Sequence, residues 1–108
     1  MTDWRLALLV AALAAAALPS AAADVAVGRQ KAQACAVCHG TLGLSSAPET
    51  PNLAGQPERY LVAQLQAYRS GKRQHEVMSI MAKPLSDADI DALAAWFASL
   101  VVEVKPPS

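Results

Sequence analysis

Apolar residues recur at the spacing of an α-helix in three stretches of this chain, so the pattern predicts an all-α fold. The first helix is expected from Val25 to Ala36, where no proline occurs and Asp24 offers a suitable N-cap. The second is expected to begin at Pro57, a residue tolerated at the first helical position, and to end at Gly71. No stretch alternates as a β-strand would, apart from the last few residues. The apolar positions of the second helix are Tyr60, Leu61, Leu65 and Tyr68.

The third helix is expected after Ser86, which forms a variant of the capping box with Asp89 three residues later. Residues 41–56 are rich in glycine, serine and proline, which predicts a loop that wraps around another part of the molecule. Residues 72–83 are less regular. Residues 103–108 contain two prolines and are predicted to be a flexible tail. The buried side of the third helix is predicted to consist of Ile90, Leu93, Ala94, Phe97 and Leu100.

The first 23 residues have the composition of an export signal. A short polar start precedes an apolar run of 13 residues from Leu6 to Leu18, shorter than the roughly 20 that span a membrane. Pro19 and Ser20 then break the helix, and Ala21-Ala22-Ala23 offers small residues at both positions that a signal peptidase reads. We therefore expect a signal peptide over residues 1–23, a periplasmic domain over residues 24–102 and, as the alternative, an uncleaved anchor.

Charge and size narrow the class of protein. The chain has nine Lys and Arg against nine Asp and Glu, and the predicted signal contains one of each sign, so the mature domain is also balanced. A nucleic-acid-binding domain would carry a basic excess, so no nucleic-acid partner is expected. A domain this small has a thin core and usually needs a disulfide, a metal or a cofactor.

Two cysteines and a histidine form the run Cys35-Ala36-Val37-Cys38-His39. Thiols at this spacing can add across the two vinyl groups of a haem to form thioether bonds, and the adjacent imidazole then binds the iron as an axial ligand. The run therefore predicts one covalently bound haem c, held by Cys35, Cys38 and His39. The large apolar ring would also supply the centre of a thin core.

Three alternative roles for the two cysteines fit the sequence less well. A thioredoxin-like redox pair occurs in a βαβ setting, which this pattern lacks. A structural zinc site needs four ligands, and outside the run only His75 remains among the His and Cys residues. A disulfide suits an oxidising compartment, but it would close a very small loop and leave His39 without a role.

Short motifs extend over nearly the whole predicted mature chain. They are Gly28, Cys35-x-x-Cys38-His39, Pro51-Asn52-Leu53-Ala54-Gly55-Gln56, Tyr60-Leu61, Gln64-Leu65, Met78-x-x-Met81-Ala82, Leu85-Ser86-Asp87 and Leu93-Ala94-Ala95-Trp96-Phe97-Ala98. In these motifs the chain resembles class I c-type cytochromes, especially one domain of the short periplasmic c4-type group. Only one haem motif is present where c4-type proteins have two. The resemblance implies a cytochrome c fold, with three main helices and short helical turns wrapped around one haem.

The resemblance also implies roles for residues outside the haem motif. In the family the proximal histidine, here His39, donates its second ring hydrogen to a proline carbonyl, which here is Pro51, and this bond orients the ring. Gly28 and Trp96 match positions where the first and last helices cross closely. The family's second axial ligand stands eight residues before the serine that caps the last helix, which points to Met78.

Three side chains compete for the sixth position on the iron: His75, Met78 and Met81. A methionine thioether favours Fe(II) and raises the reduction potential, whereas a second histidine lowers it. We expect Met78 to bind the iron and Met81, one helical turn away, to pack on the ring. His75 stands among charged residues, which is typical of a solvated turn.

An iron bound by both His39 and Met78 has no open position, so we expect one-electron transfer rather than catalysis on a small-molecule substrate. The expected partners are a redox protein donor and acceptor, with transient docking to membrane complexes of a respiratory chain. Two alternatives stay open: a dedicated haem subunit of a periplasmic dehydrogenase, and a ligand-binding or sensing haem protein with a weak Met78 bond. The candidate docking patch at the haem edge consists of Ala36, Val37, Leu42 and Leu44.

Overall fold

A computed structural model describes the backbone of residues 21–108 and the side-chain environments of residues 24–108. This part of the chain contains no β-strand, which confirms the all-α prediction, and residues 101–108 are exposed and form no helix. None of the described helices has the length and apolar character needed to cross a bilayer. Residues 1–20 of the predicted signal lie outside the described residues. The helices are α1 (Ala21–Lys31), α2 (Gln33–His39), α3 (Glu58–Ser70), α4 (Met78–Ala82) and α5 (Asp87–Ser99).

The first helical stretch differs from its prediction at its start and in its middle. Asp24 lies within the helix rather than at its N-cap, because the described residues are already helical from Ala21. A break then occurs at Ala32, whose carbonyl accepts the N–H of Cys35 at 2.9 Å, a tighter spacing than that of an α-helix. The turn separates α1 from α2. Because neither glycine nor proline marks the break, the local pattern does not reveal it.

The other two main helices lie where the sequence predicts them. Gly71 ends α3 in the left-handed conformation with φ of 85°, and Pro57 is its N-cap rather than its first helical residue. The predicted capping box of α5 is present: the Ser86 hydroxyl accepts the Asp89 N–H, and the Asp89 carboxylate accepts the Ser86 N–H, both at 3.0 Å. The irregular stretch before α5 contains the short helix α4.

Helices α1 and α5 cross with their backbones in direct contact at Gly28. A Cβ atom at this position would lie 1.9 Å from the Ala92 carbonyl oxygen and 2.8 Å from the Trp96 Cβ, so only glycine fits. The Arg29 guanidinium lies 5.6 Å from the centre of the Trp96 ring and covers one side of it. The close crossing expected from the resemblance is therefore present.

Two charged contacts hold the beginning of α5. Arg69 of α3 donates to the Leu85 carbonyl at 3.0 Å and pairs with the Asp87 carboxylate at 2.6 Å. From the other side, the Lys31 ammonium of α1 lies 2.7 Å from the Asp89 carboxylate. Helices α1 and α3 are thus both tied to the first turn of α5.

The hydrophobic core is small. Among the described residues Ile90 is the one large side chain that is fully buried. A core of this size matches the expectation that the domain is completed by an additional apolar group. The main cluster of buried residues consists of Ala32, Leu61, Leu93, Ala94, Trp96 and Phe97.

Gly28→Ala is expected to lower the free energy of unfolding by about 1–3 kcal/mol, because the added methyl group overpacks the crossing. Helix propensity alone predicts the opposite sign, since alanine is favoured over glycine in a helix by roughly 1 kcal/mol. Chemical denaturation of the purified protein measures the difference. Gln30→Ala, at an exposed position of α1, is the control and should change the value by no more than about 0.5 kcal/mol. Equal stability of Gly28→Ala and the parent would contradict the crossing.

Asp89 should make stability depend on acid pH. The Lys31 side chain, followed by the Ser86 N–H, lowers the pKa of the Asp89 carboxyl to about 2. The pKa is about 4 in an unfolded chain, so the stabilisation is complete above that pH and is lost as the pH falls towards the folded-state value. Asp89→Asn should therefore be less stable than the parent at neutral pH, with a gap that narrows as the pH falls from about 4 to about 2. Thermal unfolding across this range, with Asp91→Asn as control, measures the gap, and a constant gap would contradict the assignment.

Candidate haem site

Helix α2 carries the two cysteines and the histidine of the motif. Cys38 and His39 follow Cys35 by three and four residues, so all three side chains share one side of the helix. Cys35 is half-buried and Cys38 is exposed, and neither forms a disulfide. The helix therefore presents two free thiols and one imidazole to the same region.

The environment of Cys35 does not suit redox chemistry at sulfur. Burial raises the pKa of the Cys35 thiol, and the neighbouring Cys38 raises it further. A reactive cysteine of the thioredoxin type has a lowered pKa, because the thiolate is the attacking form. The described residues also contain no group of three or more His, Cys, Asp or Glu side chains placed to hold a metal ion, as a structural zinc site would require.

His39 is buried, with 7% of its surface exposed, and its ring is held by a hydrogen bond. The Nδ1 atom lies 2.8 Å from the carbonyl oxygen of Pro51, the pairing that the resemblance implies. A carbonyl oxygen only accepts, so Nδ1 carries the hydrogen and Nε2 keeps its lone pair. The contact therefore selects the tautomer in which Nε2 can bind a metal ion.

The loop after α2 brings Pro51 to His39 through a set of hydrogen bonds. The Ser45 hydroxyl donates to the Cys38 carbonyl at 3.1 Å, and the Ser45 N–H donates to the Asn52 side-chain oxygen at 2.7 Å. Further along, the Leu53 N–H donates to the Gly43 carbonyl at 2.8 Å. The segment that carries Pro51 is thus tied back to the end of the cysteine motif.

Two glycines fix the ends of this loop. Gly40, with φ of 85°, turns the chain out of α2, and a Cβ there would lie 2.1 Å from the Leu44 carbonyl oxygen. At the other end the Gly55 N–H donates to the Phe97 carbonyl of α5 at 2.9 Å. The predicted wrapping loop is therefore present, and it is anchored to the last helix.

The three candidates for the sixth iron position differ in their surroundings. Met78 is the first residue of α4 and is half-buried, whereas Met81 is 40% exposed. His75 is exposed, and its Nδ1 accepts the backbone N–H of Val77 at 3.2 Å and of Met78 at 3.3 Å. Of the three side chains, Met78 is thus the least exposed, and His75 is engaged with the backbone.

Two features of the site have no signal in the sequence pattern. The contacts of Ser45 with Cys38 and Asn52 each join residues seven positions apart, beyond the range of local turn rules. The second feature is that the His75 ring accepts backbone N–H groups at the start of α4. It is unexpected because histidine is not among the usual capping residues. A serine or asparagine at a turn is a weak hint of such bonds, but it does not identify the partner.

The residues present fit a covalently bound haem. The two free thiols are three residues apart, the spacing at which cysteines form thioether bonds to a haem. The hydrogen bond to Pro51 fixes the tautomer of the adjacent imidazole. Large apolar side chains are also exposed on α3 and around α4, as suits surfaces that a flat apolar ring covers. These exposed side chains are Tyr60, Val77 and Ile80.

Comparison with known proteins gives one family. The sequence model of the cytochrome c family matches residues 25–101. The crystal structure of reduced recombinant cytochrome c4 from Pseudomonas stutzeri is similar with a TM-score of 0.69 and 40% identity, over 74% of this chain and 47% of that chain. Cytochrome c-554(548) of Halomonas halodenitrificans is 44% identical over 72% of this chain and 98% of that protein. The thiosulfate dehydrogenase electron acceptor of Thiomonas intermedia (strain K12) is 43% identical over 81% of this chain and 41% of that protein.

These matches differ in how much of each relative they cover. The chain spans about half the length of the curated cytochrome c4 relatives, 48% in each of three cases. It covers nearly all of cytochrome c-554(548). The matched region of the family includes the cysteine motif, the loop with Pro51 and the helices α3 to α5.

Proposed function

This chain belongs to the cytochrome c family, and we propose that it is a monohaem carrier that passes single electrons between redox proteins. Its cofactor is one covalently bound haem c with its iron, as in the family. The observation that carries the proposal is the hydrogen bond from His39 Nδ1 to the Pro51 carbonyl, because it leaves Nε2 free to bind iron. A bound haem would supply an iron that gains or loses a single electron.

The residues of α2 and its loop have distinct tasks in this proposal. Cys35 and Cys38 would hold the ring by thioether bonds, and His39 would provide one ligand to the iron. Pro51 keeps the imidazole in one orientation and makes Nε2 a stronger donor. Because the loop that carries Pro51 is tied to Cys38 and to α5, this side of the site is expected to move little when the iron changes its charge.

Met78 is proposed as the second axial ligand. Its position at the start of α4 and its partial burial support this role. A thioether is neutral and soft, so it favours Fe(II) and raises the reduction potential. If His39 and Met78 both bind the iron, no position would remain for a small-molecule substrate, which is why we propose electron transfer and no catalysis at the iron.

An exposed apolar patch beside the motif supports docking to redox partners. Val37 is 91% exposed, and Leu42 and Leu44 are also exposed, so these side chains are available on the surface. The chain has zero formal net charge, so long-range electrostatic steering is expected to be weak. The patch suits brief apolar contacts, including those with membrane complexes of a respiratory chain.

A dedicated haem subunit of a dehydrogenase is the second candidate. The similarity to a thiosulfate dehydrogenase electron acceptor favours it, although the chain covers 41% of that protein. The two functions share the haem chemistry and differ in how long the partner stays bound. Co-purification of a stoichiometric partner supports the subunit, whereas purification as a free protein supports the carrier. Ready binding of carbon monoxide to the reduced protein would instead support a sensing role.

The mature protein is proposed to be periplasmic, with its N-terminus at Asp24. We expect the 108-residue chain, expressed with export and haem-attachment machinery, to yield residues 24–108 with one haem. Intact mass spectrometry of the periplasmic fraction measures both features. Ala21→Leu and Ala23→Leu, which place large residues where the peptidase reads small ones, should reduce cleavage. A purified protein that keeps residues 1–23 would contradict the signal peptide.

Met78→Ala is expected to abolish the weak red absorption band of methionine-ligated ferric haem and to lower the reduction potential. The physical reason is the loss of the thioether that favours Fe(II). Met81→Ala is the matched control, because it removes the same side chain one helical turn away and should keep the band. Absorption spectra and redox titration of the purified variants measure both effects. A retained band in Met78→Ala would contradict the ligand assignment.

A further inference from the structure

His75 and Ser79 form a reciprocal pair of caps around the backbone of Met78. The Nδ1 atom of His75 accepts the N–H groups of Val77 and Met78 at 3.2 and 3.3 Å. The Ser79 hydroxyl accepts the His75 N–H at 3.0 Å, and the Ser79 N–H donates to the His75 carbonyl at 3.0 Å. Four hydrogen bonds therefore link the turn to the first residues of α4.

The helix that these bonds support has little else to stabilise it. It contains five residues, Met78–Ala82, and helices this short are marginal without tertiary support. Among the described helices α4 packs against α3, and Ala82, the last residue of α4, is fully buried. Its first N–H groups have no partners within the helix and must be capped from outside. His75 supplies that cap at the end where Met78 lies.

We propose that His75 is a positioning residue that holds Met78 in place to bind iron. The inference rests on the proposed function, since it takes Met78 as the axial ligand. His75 acts through the backbone: its lone pair fixes the Met78 N–H, and the fixed first turn of α4 directs the thioether. Loss of the cap would let the first turn of α4 open and would weaken the bond between Met78 and the iron.

The same contacts argue against His75 as the ligand itself. Because Nδ1 accepts two N–H groups, the hydrogen of the neutral ring is on Nε2. Neither nitrogen then has a free lone pair for a metal ion. His75 thus takes the part that a serine, asparagine or aspartate side chain usually takes, accepting N–H groups two and three residues further on.

The test is the displacement of the methionine ligand by added imidazole in the ferric, haem-loaded protein at one fixed neutral pH. His75→Ala is expected to bind imidazole about fivefold more tightly than the parent, which corresponds to the ~1 kcal/mol of a lost cap. His75→Asn should bind within about twofold of the parent, because its side-chain oxygen can accept the same two N–H groups. Disappearance of the red band during the titration reports the displacement directly.

Control variants separate this role from general stabilisation. Ser86→Ala removes the cap of α5 and should lower the unfolding temperature while imidazole affinity stays within about twofold of the parent. Glu76→Ala changes an exposed neighbour of His75 and should leave affinity unchanged. If His75→Ala does not yield haem-loaded protein, Ser79→Ala tests the other half of the pair, with an expected gain of about two- to threefold.

Each outcome has a definite meaning. Unchanged imidazole affinity in His75→Ala, or in Ser79→Ala where that variant is used, overturns the positioning role. Failure of His75→Asn to restore the parent affinity also overturns it, because capping is the property that the two side chains share. Retention of the red band in Met78→Ala, measured separately, overturns the ligand assignment of the proposed function instead.

Discussion

The crossing of α1 and α5 at Gly28 is the contact on which the rest of the structure depends. The absence of a side chain at Gly28 lets the backbone of α1 meet the Ala92 carbonyl, and the Trp96 side chain packs at the same point. One turn along, the Lys31–Asp89 ion pair holds the two helices in register. Since only Ala32 separates α1 from α2, this crossing also fixes the position at which the cysteine motif begins.

Helix α5 contacts both α3 and the long loop that follows α2. Arg69 ties α3 to its first turn, and the Phe97 carbonyl near its end accepts the Gly55 N–H of the long loop. The same loop returns to α2 through Ser45 and Asn52 and places the Pro51 carbonyl against His39. The orientation of one imidazole is therefore secured by contacts that reach across the whole domain.

The two sides of the proposed haem site are built in different ways. The His39 side is held by long-range hydrogen bonds and by the burial of the imidazole. The Met78 side depends on a five-residue helix that is capped locally by His75 and packed on α3. Local structure with few buried contacts opens at lower free energy than a packed core. We therefore expect the Met78 side of the site to open before the His39 side does.

The C-terminal end of α3, the beginning of α5 and the haem-attachment motif were predictable from the sequence. Gly71 and the Ser86–Asp89 capping box act on residues a few positions away, so local chemistry identifies them. The resemblance to c-type cytochromes also implied the contact between His39 and Pro51 and the crossing at Gly28. The helix break at Ala32 was missed, because it arises from a buried turn that neither glycine nor proline marks.

By itself, the sequence determined the all-α fold, the two thiols and imidazole at haem-binding spacing, and the helix boundaries set by capping. Only the tertiary structure decided which nitrogen of His39 is free, because the carbonyl that selects the tautomer belongs to a residue 12 positions away. It also decided that His75 caps α4, since that role depends on where the ring points and not on residue type. Spacing along the chain fixes which groups are available, and folding fixes which of their lone pairs remain free.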